Sequence, residues 1–343
     1  MRDTCTLQDI ATLAGVHRTT VSLALRDDHK LPEATRLRIQ ALAKEHGYKP
    51  NPLVTALMNS RRVGNVVKHV TIAYLSNHPT RNGWRPPELD EPDFFPGAIE
   101  QAKRCGYKLE HFWMAEPGMS AKRLSDILRT RNIHGIIIGR LPPNINRLDF
   151  PWELFSCVSM GLSLESPQLH HVGQHMFFTA RHSMLKCMER GYRRIGFVFS
   201  TPKIYTRAID RWTGGYYSQQ QYLSPENRIP IYEEDPNSAE GFLLWYEYWK
   251  PDALIVTRAT PVIEWLRSAG HKVPEDLGIV ELRNEKLELG HAGYHDDMSK
   301  FGALAVDTLL GLMHHGEQGV PSAPHEVLLP GVWMDGSTLP FRA

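Results

Sequence analysis

TLQDIATLAGVHRTTVSLAL (6–25) places Leu7, Ile10, Ala11 and Ala14 at the i, i+3, i+4, i+7 spacing of a helix that buries one face. Thr6, with Asp9 three residues on, approximates a capping box at its start, and Gly15 and Val16 close it. A second short helix, from about Arg18 to Leu25, turns Val21 and Leu25 inward. Asp27, Asp28 and Pro32 break the pattern. A third helix, about Glu33 to His46, then presents Ile39, Leu42 and Ala43 to the same interior before Gly47 ends it. Two helices joined by a tight Gly-containing turn form a helix-turn-helix, which holds the second helix across the first so that its outer face can enter a DNA major groove. That outer face offers Arg18, Thr19, Ser22 and Leu23. Arginine pairs bidentately with guanine O6 and N7, threonine reaches several base edges, and leucine meets only apolar atoms such as a thymine methyl. Thr6, Ser22 and Asn51 suit phosphate oxygens, which fix register without reading sequence. On spacing alone, a small helical cap with no DNA role fits the same residues.

Charge separates this head from the rest of the chain. Residues 1–62 carry ten Lys/Arg and six Asp/Glu, a net +4, so the remainder sums to −3 within a chain of net +1. A basic head on a slightly acidic body suits a protein whose first segment alone meets phosphate. After Tyr48, KPNP (49–52) forbids continuous helix, 53–58 fit about two further turns, and NSRRVGN (59–65) reads as a polar linker. From Val70 onward, short apolar runs alternate with amphipathic stretches. The runs are 70–75, 107–112, 134–139, 155–160, 194–199, 252–257 and 277–282, and helical patterns cover Pro96–Cys105, Ser120–Arg131, Met176–Arg190 and Pro261–Ala269. Strands with helical crossovers imply parallel sheets covered on both faces. The number of strands exceeds one ordinary doubly wound sheet, so two α/β lobes with a ligand cleft between them are expected.

Several function classes are disfavoured. No stretch approaches the ~18 consecutive apolar residues of a membrane span. MRDTCTLQDI lacks an apolar signal region, so a cytoplasmic protein is expected. Cys5, Cys105, Cys157 and Cys187 are far apart and read as free thiols. The adjacent pairs His170-His171 and His314-His315 are poor metal geometry, and no metal or cofactor is expected. Nucleotide-binding glycine loops, the G-x-S-x-G elbow and H-E-x-x-H are all missing, so nothing positive supports an enzyme. A pure small-molecule receptor would need export and would not need the basic head.

The head segments 6–25 and 31–58 closely resemble the headpiece of the lac repressor (LacI/GalR) family of transcriptional regulators. Later pieces fit the same family in order, more loosely: GAIEQAKRCGYKL (97–109), HGIIIG (134–139), ERGYRRIGFV (189–198), RWTG (211–214), PDALIV (251–256), AGHKVPEDLGIV (269–280) and LPGVWMDGS (329–337). The resemblance implies an α/β protein: a small all-α helix-turn-helix headpiece (1–50), a hinge helix and linker (51–69), and a two-lobed core like the type I periplasmic-binding proteins (70–343). Its first lobe is expected over about 70–163 and 297–323, and its second over about 164–296 and 324–343.

The resemblance also implies a repressor that binds a pseudo-palindromic operator as a homodimer, under allosteric control by a small molecule, a sugar or sugar derivative, in the inter-lobe cleft. The DNA-facing positions it implies are Thr6, Leu7, His17, Arg18, Thr19, Ser22, Leu23, Asn51 and Leu57, with Leu57 as the hinge leucine that wedges into the minor groove. Packing between protomers is the competing role for Leu57. His17 stands where the family usually has serine, and Leu23 where a polar or basic reader is common, so operator preference does not transfer. Arg211 matches the family arginine that reaches toward the effector; a solvated arginine at a helix start is the alternative. His175, Arg258 and Arg283 stand at effector positions where acidic or amide residues are usual. Losing acceptors and gaining cations favours a sugar acid, a phosphorylated compound or a greatly altered pocket over a neutral-sugar site, unless Arg258 or Arg283 serves as a lobe-closing ion-pair partner. Tyr74, Trp84 and Trp212 are candidate stacking faces for a sugar ring that packing explains equally well.

Overall fold

The computed structural model describes residues 6–25, 31–46, 48, 70–85, 93–143, 145–200, 206–232 and 238–342, which belong to two compact units. The hinge expected at 51–58 lies outside the described residues.

The headpiece holds α1 (Leu7–Ala14), α2 (Arg18–Ala24) and α3 (Glu33–Glu45). Its capping box is complete: Thr6 N donates to Asp9 Oδ2 at 2.7 Å, and Asp9 N donates to Thr6 Oγ1 at 3.3 Å. Gly15 stops α1 in the left-handed region (φ 65°), where a side chain would be strained. Ile10, Ala11, Ala14, Val21, Ala24, Ile39 and Ala43 are buried together, with Leu7, Leu25 and Leu42 packed against them. Side chains of α3 also lock the ends of the other two helices. Arg38 Nη2 donates to Ala14 O at 3.1 Å and Gln40 Nε2 to Ala24 O at 2.9 Å, supplying donors where the last helical carbonyls have none of their own.

The core is two sheets. In chain order its elements are β1 (Val70–Ser76), α4 (Phe95–Arg104), β2 (Tyr107–Trp113), α5 (Ala121–Thr130), β3 (Gly135–Ile138), β4 (Ser156–Met160), β5 (His170–Gln174), α6 (Met176–Glu189), β6 (Ile195–Val198), α7 (Thr206–Gln220), α8 (Ala239–Trp249), β7 (Ala253–Val256), α9 (Ala259–Ser268), β8 (Gly278–Glu281), β9 (Ala292–His295), α10 (Met298–His315), β10 (Glu326–Leu329) and β11 (Val332–Met334). The first sheet runs β10-β5-β4-β3-β1-β2, all parallel; the second runs β11-β9-β8-β7-β6, with only β11 antiparallel. All seven apolar runs read from the sequence are strands. In the second sheet the two-residue alternation divides the faces: Phe197, Ile255 and Val280 meet α6 and α7, whereas Val198, Leu254, Val256 and Ile279 meet α8 and α9. In the first sheet Ala73, Leu75, Ile136 and Ile138 pack on Leu124 and Leu128 of α5.

Strand pairing assigns 170–174 and 326–329 to the first sheet, so the chain leaves that sheet after Gln174 and after Leu329, somewhat later than the lobe limits near 164 and 324 inferred from the sequence. It passes between the sheets three times, the remaining passage following β9. His170 and His171 are buried in β5, where the His170 ring lies 3.8 Å from that of His325 and its Nδ1 accepts the His325 N–H at 3.2 Å. Among the described residues no group of three or more metal-ligating side chains is positioned to hold an ion, and no helix is long and apolar enough to cross a membrane.

Candidate functional site

On α2, Arg18 and Thr19 are exposed, Ser22 and Leu23 are half-buried, and Val21 and Ala24 face the core. One helical surface therefore carries all four residues expected from the sequence on the outer face of this helix. His17 starts the helix: its Nδ1 accepts the Thr19 N–H at 3.3 Å and lies 2.8 Å from Thr19 Oγ1. The imidazole thus does what serine does at an N-cap, and it also fixes the Thr19 hydroxyl. Replacing His17 with Ala is expected to cost the headpiece about 1 kcal/mol, lowering its thermal transition by roughly 5 °C, and His17→Ser should restore it; circular dichroism of the three proteins checks this. Thr6 is exposed but committed to its capping box, and Leu7 is half-buried against the headpiece core. Asn51 and Leu57 lie outside the described residues.

The four positions singled out in the core fall into distinct settings. Arg211 lies well inside α7 rather than at a helix start, which corrects that alternative, and its Nη2 is 2.6 Å from Glu326 Oε1 on β10. His171 Nε2 approaches the same oxygen at 3.6 Å; burial drives the His171 imidazole down to about 4, keeping it neutral at pH 7. Beside it, Arg207 Nη1 donates to Leu164 O at 3.3 Å. Two arginines one turn apart on α7, a helix packed on the second sheet, therefore hold β10 and the loop after β4 of the first.

Arg258 and Arg283 meet at one carboxylate that sequence reasoning missed. Arg258 Nη2 is 3.0 Å and Arg283 Nη2 2.8 Å from Glu285, whose side chain is 6% exposed. Both pairings lie within the second lobe, not across the lobes. The cations gained there come with an acceptor of their own, which weakens the charge argument for an acidic ligand. His175 caps α6, its Nδ1 accepting the Phe178 N–H at 3.3 Å, so it occupies the structural role of a capping aspartate without the charge. The stacking candidates resolve by packing. Tyr74 is buried against Trp84 (5.2 Å) and edge-on to Phe95 (4.9 Å), and Trp212 belongs to the second-lobe core. Burial of Cys157 and Cys187 pushes both thiols well above their ordinary pKa, so they are inert core residues.

Residues 6–51 match the pattern described as bacterial regulatory proteins, lacI family, and residues 186–339 match that of the periplasmic binding protein-like domain. The chain thus joins a lacI-family headpiece to a periplasmic-binding-protein-like domain. The chain is 26% identical over 300 residues to the NTD biosynthesis operon regulator NtdR of Bacillus subtilis (strain 168), an alignment covering 82% of the chain and 83% of that regulator. Its fold is that of a transcriptional regulator CelR–cellobiose complex (TM-score 0.55, 20% identity, 97% of this chain and 99% of that one). It is also that of the lac repressor dimer bound to operator and the anti-inducer ONPF (TM-score 0.54, 17% identity, 98% and 99%). The core is therefore a two-lobed periplasmic-binding-like α/β domain, and the lacI-family headpiece makes the protein a DNA-binding transcriptional regulator.

Proposed function

We propose that the protein is a cytoplasmic repressor that binds a pseudo-palindromic operator as a homodimer and is controlled by a sugar or sugar derivative bound between the lobes. The observation that carries this reading is α2: a capped helix anchored by Val21 and Ala24, with Arg18 and Thr19 exposed side by side and Thr19 fixed by His17. In this reading Arg18, Thr19 and Leu23 meet base edges; Thr6, Ser22 and Asn51 meet phosphates; Leu7 and His17 support the contact; and Leu57 wedges the minor groove. Arg211, His175, Arg258 and Arg283 border the effector. Support for the effector class comes from the cellobiose complex of the CelR structure, and for the DNA state from the operator-bound lac repressor dimer. By linkage, operator and effector affinities change reciprocally through the lobe arrangement.

The experiment is selection of random-sequence duplexes by the purified protein, repeated with Leu57→Ala and with pooled sugars and sugar acids. Enrichment of one palindromic site, weakened by Leu57→Ala and shifted by a pool, supports the reading. If no sequence is enriched under any condition, the reading fails and a ligand-binding protein without an operator takes its place. Arg18→Ala refines the result. A bidentate base contact is worth about 1–3 kcal/mol, so a roughly 5- to 150-fold loss confined to the selected site is expected in fluorescence anisotropy, whereas equal loss on every sequence would make Arg18 a phosphate contact.

A further inference from the structure

The three passages of chain between the sheets converge on one side chain. Gln174, the last residue of β5, donates from Nε2 to Asp296 Oδ2 at 2.6 Å, and Asp296 itself follows β9. The third passage lies against both: Leu329 pairs with Gln174, Val332 pairs with His295, and the His175 N–H donates to Leu329 O at 2.9 Å. Between those two pairs stands Gly331. A Cβ there would come within 2.8 Å of Asp296 Oδ1 and 3.0 Å of His295 O, so this passage runs over the carboxyl with no room for a side chain. Asp296 is 5% exposed, and its Oδ1 has no hydrogen-bond partner among the described residues.

We propose that Asp296 is a proton-binding pin where the chain crosses between the two sheets, and that its charge state biases the angle between the two lobes. An ionised carboxylate with one oxygen buried and unsatisfied is a costly group, and a neutral carboxyl is much less so. Any rotation of the lobes that admits water or a donor to Oδ1 is therefore favoured when Asp296 is charged, and the arrangement seen here is favoured when it is protonated. The titratable and charged groups facing it are Arg283 and Glu285 after β8 and His295 at the end of β9; β5 contributes only the neutral Gln174 and the third passage only Gly331. Burial outweighs the Gln174 hydrogen bond and the pull of Arg283, with Glu285 adding to the effect of burial, and the carboxyl rises to about 6. With the unfolded value near about 4, the sign is fixed. The stability of this arrangement is full below the unfolded value and is lost as pH rises through the folded one. A rotation that returned Asp296 to ordinary solvation would shift the lobe equilibrium by up to about 100-fold between those limits.

The test is small-angle X-ray scattering of the full-length protein from pH 5 to pH 8, beside Asp296→Asn and Gln174→Met. The wild type is expected to change its scattering profile with a midpoint near pH 6, and Asp296→Asn to keep the low-pH profile throughout. Gln174→Met, which removes the hydrogen bond that favours the charged form, should move the midpoint upward. A wild-type profile that does not change with pH overturns the proposal, as does an Asp296→Asn protein that retains the transition. Should Asp296→Asn fail to fold by circular dichroism, Gln174→Met decides: an unmoved midpoint overturns the pin.

Discussion

Ile10→Ala is expected to weaken DNA binding at least about tenfold while leaving the α/β core folded. Ile10 is 0% exposed and sits among the seven residues that form the interior of the headpiece. Truncating a buried isoleucine to alanine costs about 2–5 kcal/mol, the lost transfer energy plus a cavity. A three-helix unit of this size has only a few kcal/mol in total, because a small domain buries a modest share of its surface. Most headpieces would therefore be unfolded and unable to hold DNA. The expected result is at least about a tenfold loss in fluorescence anisotropy, with the main thermal transition of the protein unchanged. Leu13→Ala provides the contrast, since Leu13 lies on the same helix but is 51% exposed and should leave both properties nearly as they are. Wild-type DNA affinity in Ile10→Ala would mean that the headpiece is stabilised by more than its own interior.

Gly302→Val should destabilise the first lobe by a different route. Gly302 of α10 and Gly97 of α4 bring two helix backbones almost into contact: a Cβ on Gly302 would stand 1.9 Å from Phe94 O, and one on Gly97 would stand 1.9 Å from Ser299 O. The obstructing atoms are backbone, so no side-chain rearrangement relieves the clash and the helices must separate. Overpacking typically costs about 1–3 kcal/mol, and a backbone collision lies at or beyond the upper end. For a core of this size about 3 kcal/mol corresponds to a fall of roughly 6–12 °C in the main thermal transition, which differential scanning calorimetry reads directly. A Tm within a degree or two of wild type would contradict the close helix approach.

What the sequence revealed and what it hid divide along physical lines. The headpiece was legible almost to the residue because its helices are short and the first is capped by a side chain of the right type and ended by a glycine; Thr6, Asp9 and Gly15 mark α1 without any tertiary information. Six of the seven apolar strands were legible because they are buried on both faces; the edge strand β2 buries only Tyr107 and Leu109. Four strands were not. HHVGQ in β5 and AGYH in β9 have histidine and glycine where aliphatic residues would announce a strand, and β10 and β11 are only 4 and 3 residues long. Helices α7, α8 and α10 were also missed. The RWTG segment was known only as a place for an arginine, whereas Arg211 proves to be mid-helix. These omissions explain why Glu326, Glu285, Gln174 and Asp296 went unnoticed. Each is positioned by a short element or a loop, and for all but Glu285 the partner is distant in sequence: 115 residues separate Arg211 from Glu326, and 122 separate Gln174 from Asp296. No local pattern encodes such pairs.

The edge strand β10 has a consequence for how the protein comes into being. The first sheet begins at Val70, yet its last strand is Glu326–Leu329, and the second sheet likewise waits for Val332–Met334. Neither lobe is a contiguous segment, so neither can be finished on the ribosome until nearly the whole chain has emerged. The headpiece, closed by Tyr48 and earlier residues, has no such wait. At about 5–20 residues per second the interval between the two events is roughly 15–55 s. In every newly made molecule the DNA-binding headpiece is complete well before either lobe of the core.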